Sequence, residues 1–323
     1  MNINIHVIID HQSTNPSIQR QFNATVSLLE ILWQQYNRVS AYRSASTMSN
    51  YATAIRALGK YLKRDIPASE LSDTLLGGFE RWLRGRNVCL NTISCYMRSL
   101  RSLLAGIDGD TKKLFAKVYT GSAKTEKRSI PPESISRINA LQLLGNSFIE
   151  LARDVFMFSF YAMGMPFVDV AHLRKQQIAS GQIVYYRHKT GQRVQIAIEQ
   201  PMLDIIRRHS DKAQADYVFP LLQEGTAHEY KVMLGRYNRA LHRLARLASV
   251  RHNLTSYVVR HTWASTAYSA NVDLPVISKA LGHANTQTTL TYIREIDDHR
   301  VAAANHNIIG LVAQTDAERE LES

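Results

Sequence analysis

The stretches that decide the fold and chemistry of this chain are LTSYVVRHTWA at residues 254–264, LGH at 281–283 and TTLTY at 288–292. They place Tyr292 nine residues after His283 and thirty-two residues after Arg260. A guanidinium group offers a planar set of donors that matches the oxygens of a phosphate. A phenol acts as a covalent nucleophile when a neighbouring base takes its proton. The spacing therefore indicates a site that works on a phosphate ester.

Length and charge narrow the function classes. A chain of 323 residues favours two domains. The formal net charge of +12 and the pI near 9.7 indicate a polyanionic partner, although ribosomal and membrane-surface proteins share such a balance. The apolar runs are short and broken by charges, so we expect no membrane span. Residues 1–10 lack a cleavable signal pattern.

The two cysteines, Cys89 and Cys95, have no histidine or cysteine companions in their segment. This pattern is typical of buried or idle thiols in a reducing cytoplasm. We therefore expect neither a disulfide nor a zinc site. Separately from the cysteines, the chain is expected to need no cofactor.

Changes in composition divide the chain into five segments. Residues 1–16 form an N-terminal extension, and the three- and four-residue apolar spacing of residues 17–110 predicts a compact helical domain. The glycines and lysines of residues 111–132 indicate a basic linker, either a plain soluble connector or one that follows a phosphate backbone. Residues 133–310 form a second domain, and residues 311–323 are expected to be a flexible tail.

The second domain contains the clearest β signal. Residues 182–187 and 192–198 flank HKTG at 188–191, a pattern typical of a β-hairpin with glycine in its turn. The remaining segments are helical in pattern. The predicted fold class is therefore mainly α with a small β-hairpin or sheet (α+β).

Basic side chains recur at helical spacing on a predicted helix at residues 229–248. They face away from its apolar stripe, which favours a helix laid along a nucleic acid as much as an ordinary solvated surface. The candidate DNA-binding residues of this helix and the linker are Arg236, Arg239, Arg243, Lys124, Lys127 and Arg128.

Together these stretches resemble the tyrosine recombinase, or phage integrase, family. The arginine, the LGH and the Thr-x-Tyr are weak signals singly and highly specific at these separations, and the SYVVRH wording at 256–261 is most similar to integrases of Bacteroidetes mobile elements. GMPFVD at 164–169 and KTG at 189–191 fall in the family's order. The resemblance implies a helical SAM-like core-binding domain at 17–110, followed by a catalytic domain.

The resemblance also implies roles for five residues. Tyr292 would attack the scissile phosphate to give a 3′-phosphotyrosyl bond and a free 5′-hydroxyl, and religation would need neither ATP nor metal. Arg260 would hold the non-bridging oxygens, and Lys189 would protonate the departing 5′-oxygen. His283 would help to take the phenol proton. Asp169 would orient its neighbours.

Two positions depart from the family pattern. Pro166 stands where the first catalytic arginine is usual, and Met163 stands where some relatives carry an arginine before the glycine. Tyr257 replaces the usual histidine three residues before Arg260. Its hydroxyl can donate a hydrogen bond to phosphate, but it cannot shuttle protons as imidazole does near neutral pH.

If the chain is catalytically active, another arginine has to bind the phosphate in place of the one missing at Pro166. The loss of one donor of this kind costs on the order of 3 kcal/mol of transition-state stabilisation. Arg153, on the preceding predicted helix, is the first candidate, and Arg174 and Arg187 are the next.

The favoured hypothesis is an enzyme, a site-specific DNA recombinase that integrates, excises or inverts DNA. It would bind double-stranded DNA as a homotetramer on two sites, tied by residues 308–311, in the bacterial cytoplasm at the nucleoid. One alternative is a DNA-binding relative whose catalysis is impaired because Pro166 replaces the arginine. A second is a nicking-closing enzyme, which shares the chemistry but needs no tetramer.

Overall fold

The computed structural model describes residues 26–106, 111–123, 128–143, 147–283 and 285–290, together with Asn305 and Ile309. The chain divides into two compact units at Thr125 and Glu126. Several predicted features lie outside the described residues. These are Tyr292, Lys124, Lys127, the extension 1–16, the tail 311–323 and all but Ile309 of the segment 308–311.

The first unit is helical, as the sequence predicted. Its helices are α1 (Leu28–Val39), α2 (Ala45–Leu62), α3 (Asp73–Gly85) and α4 (Leu90–Ala105), with a 3-10 turn at Ala68–Glu70. The side chains of Ser27, Ser44 and Ser72 each accept a hydrogen bond from the backbone N–H three residues later, which stabilises the start of a helix. Leu32 and Phe79 are completely buried in the core between these helices.

Residues 111–123 belong to this first unit and are not a linker. The side chains buried in its core from this segment are Leu114, Phe115 and Val118. The backbone N–H of Tyr119 also donates to Oε2 of Glu80 over 2.7 Å. The prediction of a linker over 111–132 is therefore wrong for these residues. The segment's lysines suggested a solvated chain, whereas its apolar side chains, three and four residues apart, form a buried face.

The second unit is built around one buried helix. Its elements are α5 (Pro132–Asn139), α6 (Phe148–Tyr161), α7 (Phe167–Ala171), β1 (Ile178–Ala179), β2 (Gln182–Tyr186), β3 (Arg193–Ala197), α8 (Gln200–His209), α9 (Ala227–Leu247), α10 (Val258–Ser269), α11 (Leu274–Ala280) and α12 (Thr286–Leu290), with 3-10 turns at Lys175–Gln177 and Ser210–Lys212. Helix α6 is buried along most of its length and packs against α8, α9 and α10. Most of its side chains are apolar, as expected for a buried helix.

A small antiparallel sheet with strand order β1-β2-β3 completes this unit. Ile183 pairs with Ile196 and Tyr185 with Val194, so the predicted hairpin is present, and β1 adds a strand that the sequence pattern had not revealed. The mainly α fold with a small sheet is confirmed. Within the described ranges, no helix combines the length and apolar character needed to cross a membrane.

Candidate active site

Arg260 is held at the start of α10 and is only 2% exposed. Its Nη1 donates to the carbonyl oxygen of Gly164 over 3.1 Å, and its Nη2 donates to the carbonyl oxygen of Leu281. Gly164 has a φ of +70°, and a Cβ there would lie 3.0 Å from the Cα of Arg260. Only glycine suits both the left-handed backbone and this close approach.

His283 lies beside that guanidinium. Its Nε2 is 3.0 Å from Nη2 of Arg260, and its Nδ1 is 2.9 Å from Oγ1 of Thr289 in α12. Because the guanidinium can only donate, Nε2 accepts and the proton of the neutral ring sits on Nδ1. Burial lowers the pKa of His283 to about 4, helped by the positive charges of Arg260, Arg187 and Lys189. The imidazole is therefore neutral at pH 7.

Asp169, in α7, connects this region to the hairpin turn. Its Oδ1 accepts a hydrogen bond from the backbone N–H of His188 over 2.9 Å, and its Oδ2 lies 2.9 Å from Nε of Arg187. That N–H is not aligned with the oxygen, so the second contact is an ion pair rather than a directed hydrogen bond. Burial raises the pKa of Asp169, although the bond from His188 and the charge of Arg187 oppose the rise. The exposed Lys189 follows in the turn that this carboxylate anchors.

Pro166 has a structural place in the turn between α6 and α7. It is the N-cap of α7, with its carbonyl oxygen accepting from the backbone N–H of Asp169 over 2.9 Å and from that of Val170 over 3.0 Å. Met163 stands nearby with a φ of +56°. The turn thus starts the helix that carries Asp169, but neither Pro166 nor Met163 can bind phosphate as an arginine does.

Arg153, the first candidate for the substitute arginine, is used elsewhere. It is 9% exposed, its Nε donates to Oδ1 of Asp154 over 2.8 Å, and its Nη1 donates to the carbonyl oxygen of Leu141 over 2.8 Å. Asp154 also bonds to Nε2 of His209 over 2.8 Å. Burying Asp154 requires positive partners, and Arg153 supplies one together with Arg208, whose Nη1 lies 2.9 Å from Oδ2 of Asp154.

The two remaining candidates differ sharply. Arg174 donates from Nη2 to the hydroxyl of Tyr217 over 3.0 Å, and its guanidinium carbon lies 3.8 Å from the centre of that ring. Arg187 instead donates from Nη1 to the carbonyl oxygen of Leu281, the same atom that accepts from Arg260. Of the three candidates, Arg187 alone reaches the hydrogen-bonding partners of Arg260.

Comparison with known proteins identifies the family. Residues 133–299 match the phage integrase family, and residues 27–106 match the phage integrase SAM-like domain. The chain belongs to the phage integrase family. It is a site-specific DNA recombinase, an enzyme that breaks and rejoins DNA.

The relatives are distant in sequence and similar in fold. Tyrosine recombinase XerA of Pyrococcus furiosus is 22% identical over 238 residues, which are 71% of this chain and 80% of that protein. The Tn1549 transposon integrase in complex with transposon right end DNA has a TM-score of 0.68 at 15% identity, covering 88% of this chain and all of that one. A lambda integrase tetramer bound to a Holliday junction has a TM-score of 0.66 at 13% identity, covering 85% and 80%.

Tyr257 of this integrase lies at the surface, directly before α10. Its side chain is 43% exposed, and its ring centre is 5.6 Å from that of His261. The backbone N–H of the preceding Ser256 donates to Oδ1 of Asn238 over 2.8 Å. Asn238 was not singled out by sequence reasoning. Its side chain anchors the segment before α10. The only feature of the sequence that could have pointed to Asn238 is that it is the single amide among the arginines of α9.

The arginines of α9 lie opposite its buried stripe. Tyr237, Leu241 and Leu244 are buried in the core, whereas Arg236, Arg239 and Arg243 are exposed. The guanidinium carbon of Arg236 lies 3.8 Å from the centre of the Phe148 ring, so the protein itself holds this group. Neither Arg239 nor Arg243 forms an ion pair with an acid in the described ranges. Arg128 comes between α4 and α5 in the sequence and is also exposed.

Proposed function

We propose that this recombinase cuts each strand through a 3′-phosphotyrosyl bond to Tyr292. The observation that supports this is the contact of Arg260 with His283, a phosphate-binding group beside a neutral base. Thr289, which holds the other nitrogen of His283, comes three residues before Tyr292 in the sequence. The same short segment therefore carries the nucleophile and fixes the orientation of the imidazole.

In the cleavage step, Oη of Tyr292 bonds to phosphorus and the bond between phosphorus and the 5′-oxygen breaks. As Nη2 of Arg260 turns from Nε2 of His283 to the phosphate, the phenol proton passes to that nitrogen, and Lys189 gives a proton to the departing 5′-oxygen. Arg260 stabilises the charge on the non-bridging oxygens as the phosphorane forms, and the hydroxyl of Tyr257 donates to the phosphate. Asp169 positions the turn that carries Lys189. Attack by a 5′-hydroxyl on the phosphotyrosine reverses these steps and rejoins DNA.

The low pKa of His283 in the free protein fits this role. Nearby positive charges disfavour the imidazolium, and a bound phosphate offsets them, so its pKa rises when DNA occupies the site. The ring thus stays unprotonated until substrate arrives. It becomes a stronger base where the phenol has to lose its proton.

The partner is double-stranded DNA, and the assembly is a homotetramer on two recombination sites in the bacterial cytoplasm at the nucleoid. The charge of +12 and the exposed Arg239, Arg243 and Arg128 support backbone contacts, which Lys124 and Lys127 extend along the chain. The lambda integrase tetramer on a Holliday junction supports the assembly, because exchanging strands between two duplexes requires four cutting subunits.

A second candidate function is DNA binding with impaired catalysis. Pro166 favours it, because the position carries no guanidinium. Retention of Arg260, Lys189, His283 and Tyr292 in the sequence opposes it.

A covalent trapping experiment separates the two. Genomic fragments retained by the purified full chain are footprinted, and a duplex with one nick inside the footprint is incubated with the native protein and with Tyr292→Phe. We expect a denaturation-resistant adduct from the native protein alone, with both proteins giving the same mobility shift. Equal binding without any adduct would establish the second candidate instead.

A further inference from the structure

We propose that Arg187 supplies the second guanidinium of the phosphate site, in place of the arginine that Pro166 replaces. The inference rests on the proposed cleavage chemistry. It assigns Arg187 a direct contact with the scissile phosphate, next to Arg260.

The first support is a shared acceptor. Nη1 of Arg187 and Nη2 of Arg260 both donate to the carbonyl oxygen of Leu281. Two guanidinium groups that bond to one atom lie side by side, although their like charges repel each other. Such a pair can place donors on two oxygens of one phosphate group, the arrangement for which arginine is suited.

The second support is the local charge. Arg187, Arg260 and Lys189 are all close enough to His283 to depress its pKa. Among the residues that the structure describes here, Asp169 is the one carboxylate of this group, and its own pKa is raised. The positive charge therefore exceeds the negative charge. A phosphodiester offsets part of the excess, and the phosphorane, which carries more negative charge than the diester, offsets more.

The third support is how the fold aims Arg187. Ile183 and Tyr185 of β2 are buried on one face of the sheet, and Arg187 continues that face two residues further on, 7% exposed. Strand alternation therefore directs it inward. Asp169 holds its Nε side, and Nη1 bonds to the Leu281 carbonyl oxygen that Arg260 also contacts.

Gly282 allows the carbonyl group of Leu281 to lie close to Arg187. Its φ is +61°, and a Cβ there would lie 3.0 Å from Cγ2 of Val194 and 3.4 Å from Cγ of Arg187. The close packing of the LGH turn on the hairpin therefore depends on glycine. It places Leu281 and His283 within reach of both arginines.

Arg187 could instead have a purely structural role, because it connects α7, the hairpin and the LGH turn. The two roles predict different rates of cleavage on charged and neutral substrates. A residue that neutralises the phosphate becomes dispensable when the phosphate is made neutral. A residue that only holds the fold is needed equally for charged and neutral substrates. Replacing one non-bridging oxygen at the scissile position by a methyl group provides this test.

The experiment uses the nicked duplex defined above, with the scissile position mapped from the native adduct, as phosphate and as methylphosphonate. The full-length variants are Arg187→Ala, Arg187→Lys, Tyr292→Phe and the matched control Arg174→Ala, which removes an arginine stacked on Tyr217. For each protein that forms an adduct, the rate on methylphosphonate is divided by the rate on phosphate, so a reduced folded fraction cancels, and Tyr292→Phe serves as the blank. DNA binding and Tm are measured in parallel.

We expect Arg187→Ala to cleave phosphate on the order of 10²- to 10³-fold more slowly than native protein, with most of this loss absent on methylphosphonate. Arg187→Lys should be intermediate, and Arg174→Ala should keep the native ratio. A native ratio in Arg187→Ala, or its cleavage of phosphate at the native rate, would overturn the inference while leaving Tyr292 chemistry intact. Absence of a Tyr292-dependent adduct from the native protein would overturn both.

Discussion

Nη2 of Arg260 and Nε2 of His283 lie 3.0 Å apart, with the guanidinium donating and the imidazole accepting. Burial is the main cause of the lowered pKa of His283, and this contact adds to it, because an imidazolium at this distance would place two like charges in contact. Arg260, the proposed phosphate-binding group, thus helps to keep the proposed base unprotonated, and one hydrogen bond joins the two side chains.

Protonation of His283 should therefore be visible as a pH dependence of stability. Its pKa falls from an ordinary value of 6.5 to about 4 on folding, so between these values the unfolded chain binds more protons than the folded one. The free energy of unfolding should then rise with pH across this window. Urea unfolding at pH 4 to 7 should show a flatter dependence for His283→Gln than for native protein.

Two observations would contradict this assignment. One is an identical pH slope in native protein and His283→Gln. The other is an NMR titration of His283 with a midpoint near 6.5 in the DNA-free protein. Arg187→Ala should raise the midpoint, because the positive charge of Arg187 contributes to the lowered pKa.

Gly164→Ala should destabilise the catalytic unit and slow cleavage. The substitution combines a φ of +70° with a Cβ 3.0 Å from the Cα of Arg260, so α10 has to shift. The matched control is Gly181→Ala, where φ is +71° and no atom lies within 4 Å of the added Cβ. We expect about 1–2 kcal/mol of backbone strain in both, with a further loss of stability and of cleavage in Gly164→Ala alone.

Thermal unfolding and adduct formation measure these two effects. Equal loss of stability in the two variants would show that the approach of Gly164 to Arg260 is unimportant. If Gly164→Ala cleaves DNA at the rate of the native protein, then this close approach is not needed to position the guanidinium of Arg260.

The sequence predicted those parts of the fold and site that local pattern determines. The two strands around HKTG alternate in the sheet as expected, and the arginines of α9 do face away from its buried stripe. The choice among substitute arginines could not be read from the sequence, because it depends on tertiary partners. Arg153 is next to Asp154 in the sequence, but the burial of that carboxylate beside His209 cannot be read from periodicity.

The start of the linker was misjudged for a related reason. Lys112, Lys113 and Lys117 give their segment a basic composition, yet its burial is decided by three apolar side chains, Leu114, Phe115 and Val118. The composition of a segment includes the side chains on both of its faces, whereas its packing against the core depends only on the side chains of the buried face. The contact of Arg187 with Leu281 likewise joins residues 94 positions apart, a distance that no local pattern spans.

Phe115→Ala should destabilise the first unit, because the ring is 3% exposed in its core. Removing a buried aromatic side chain costs about 3–5 kcal/mol. Lys113→Ala, at an exposed position of the same segment, should change stability by less than about 0.5 kcal/mol. Urea unfolding of the full chain measures both. A similarly small effect of Phe115→Ala would restore the linker interpretation.

The arginine face of α9 should appear in the salt dependence of DNA binding. Each backbone phosphate that a cation neutralises adds about one to the slope of log affinity against log salt. Arg239→Ala and Arg243→Ala should each lower that slope by about 1 and weaken binding to all sequences alike. Arg236→Ala should change it less, since its guanidinium is held over Phe148. Slopes equal to that of native protein in the first two variants would show that this face is only a solvated surface. A larger change of the slope in Arg236→Ala than in Arg239→Ala or Arg243→Ala would show that the guanidinium of Arg236 moves off the Phe148 ring and contacts DNA.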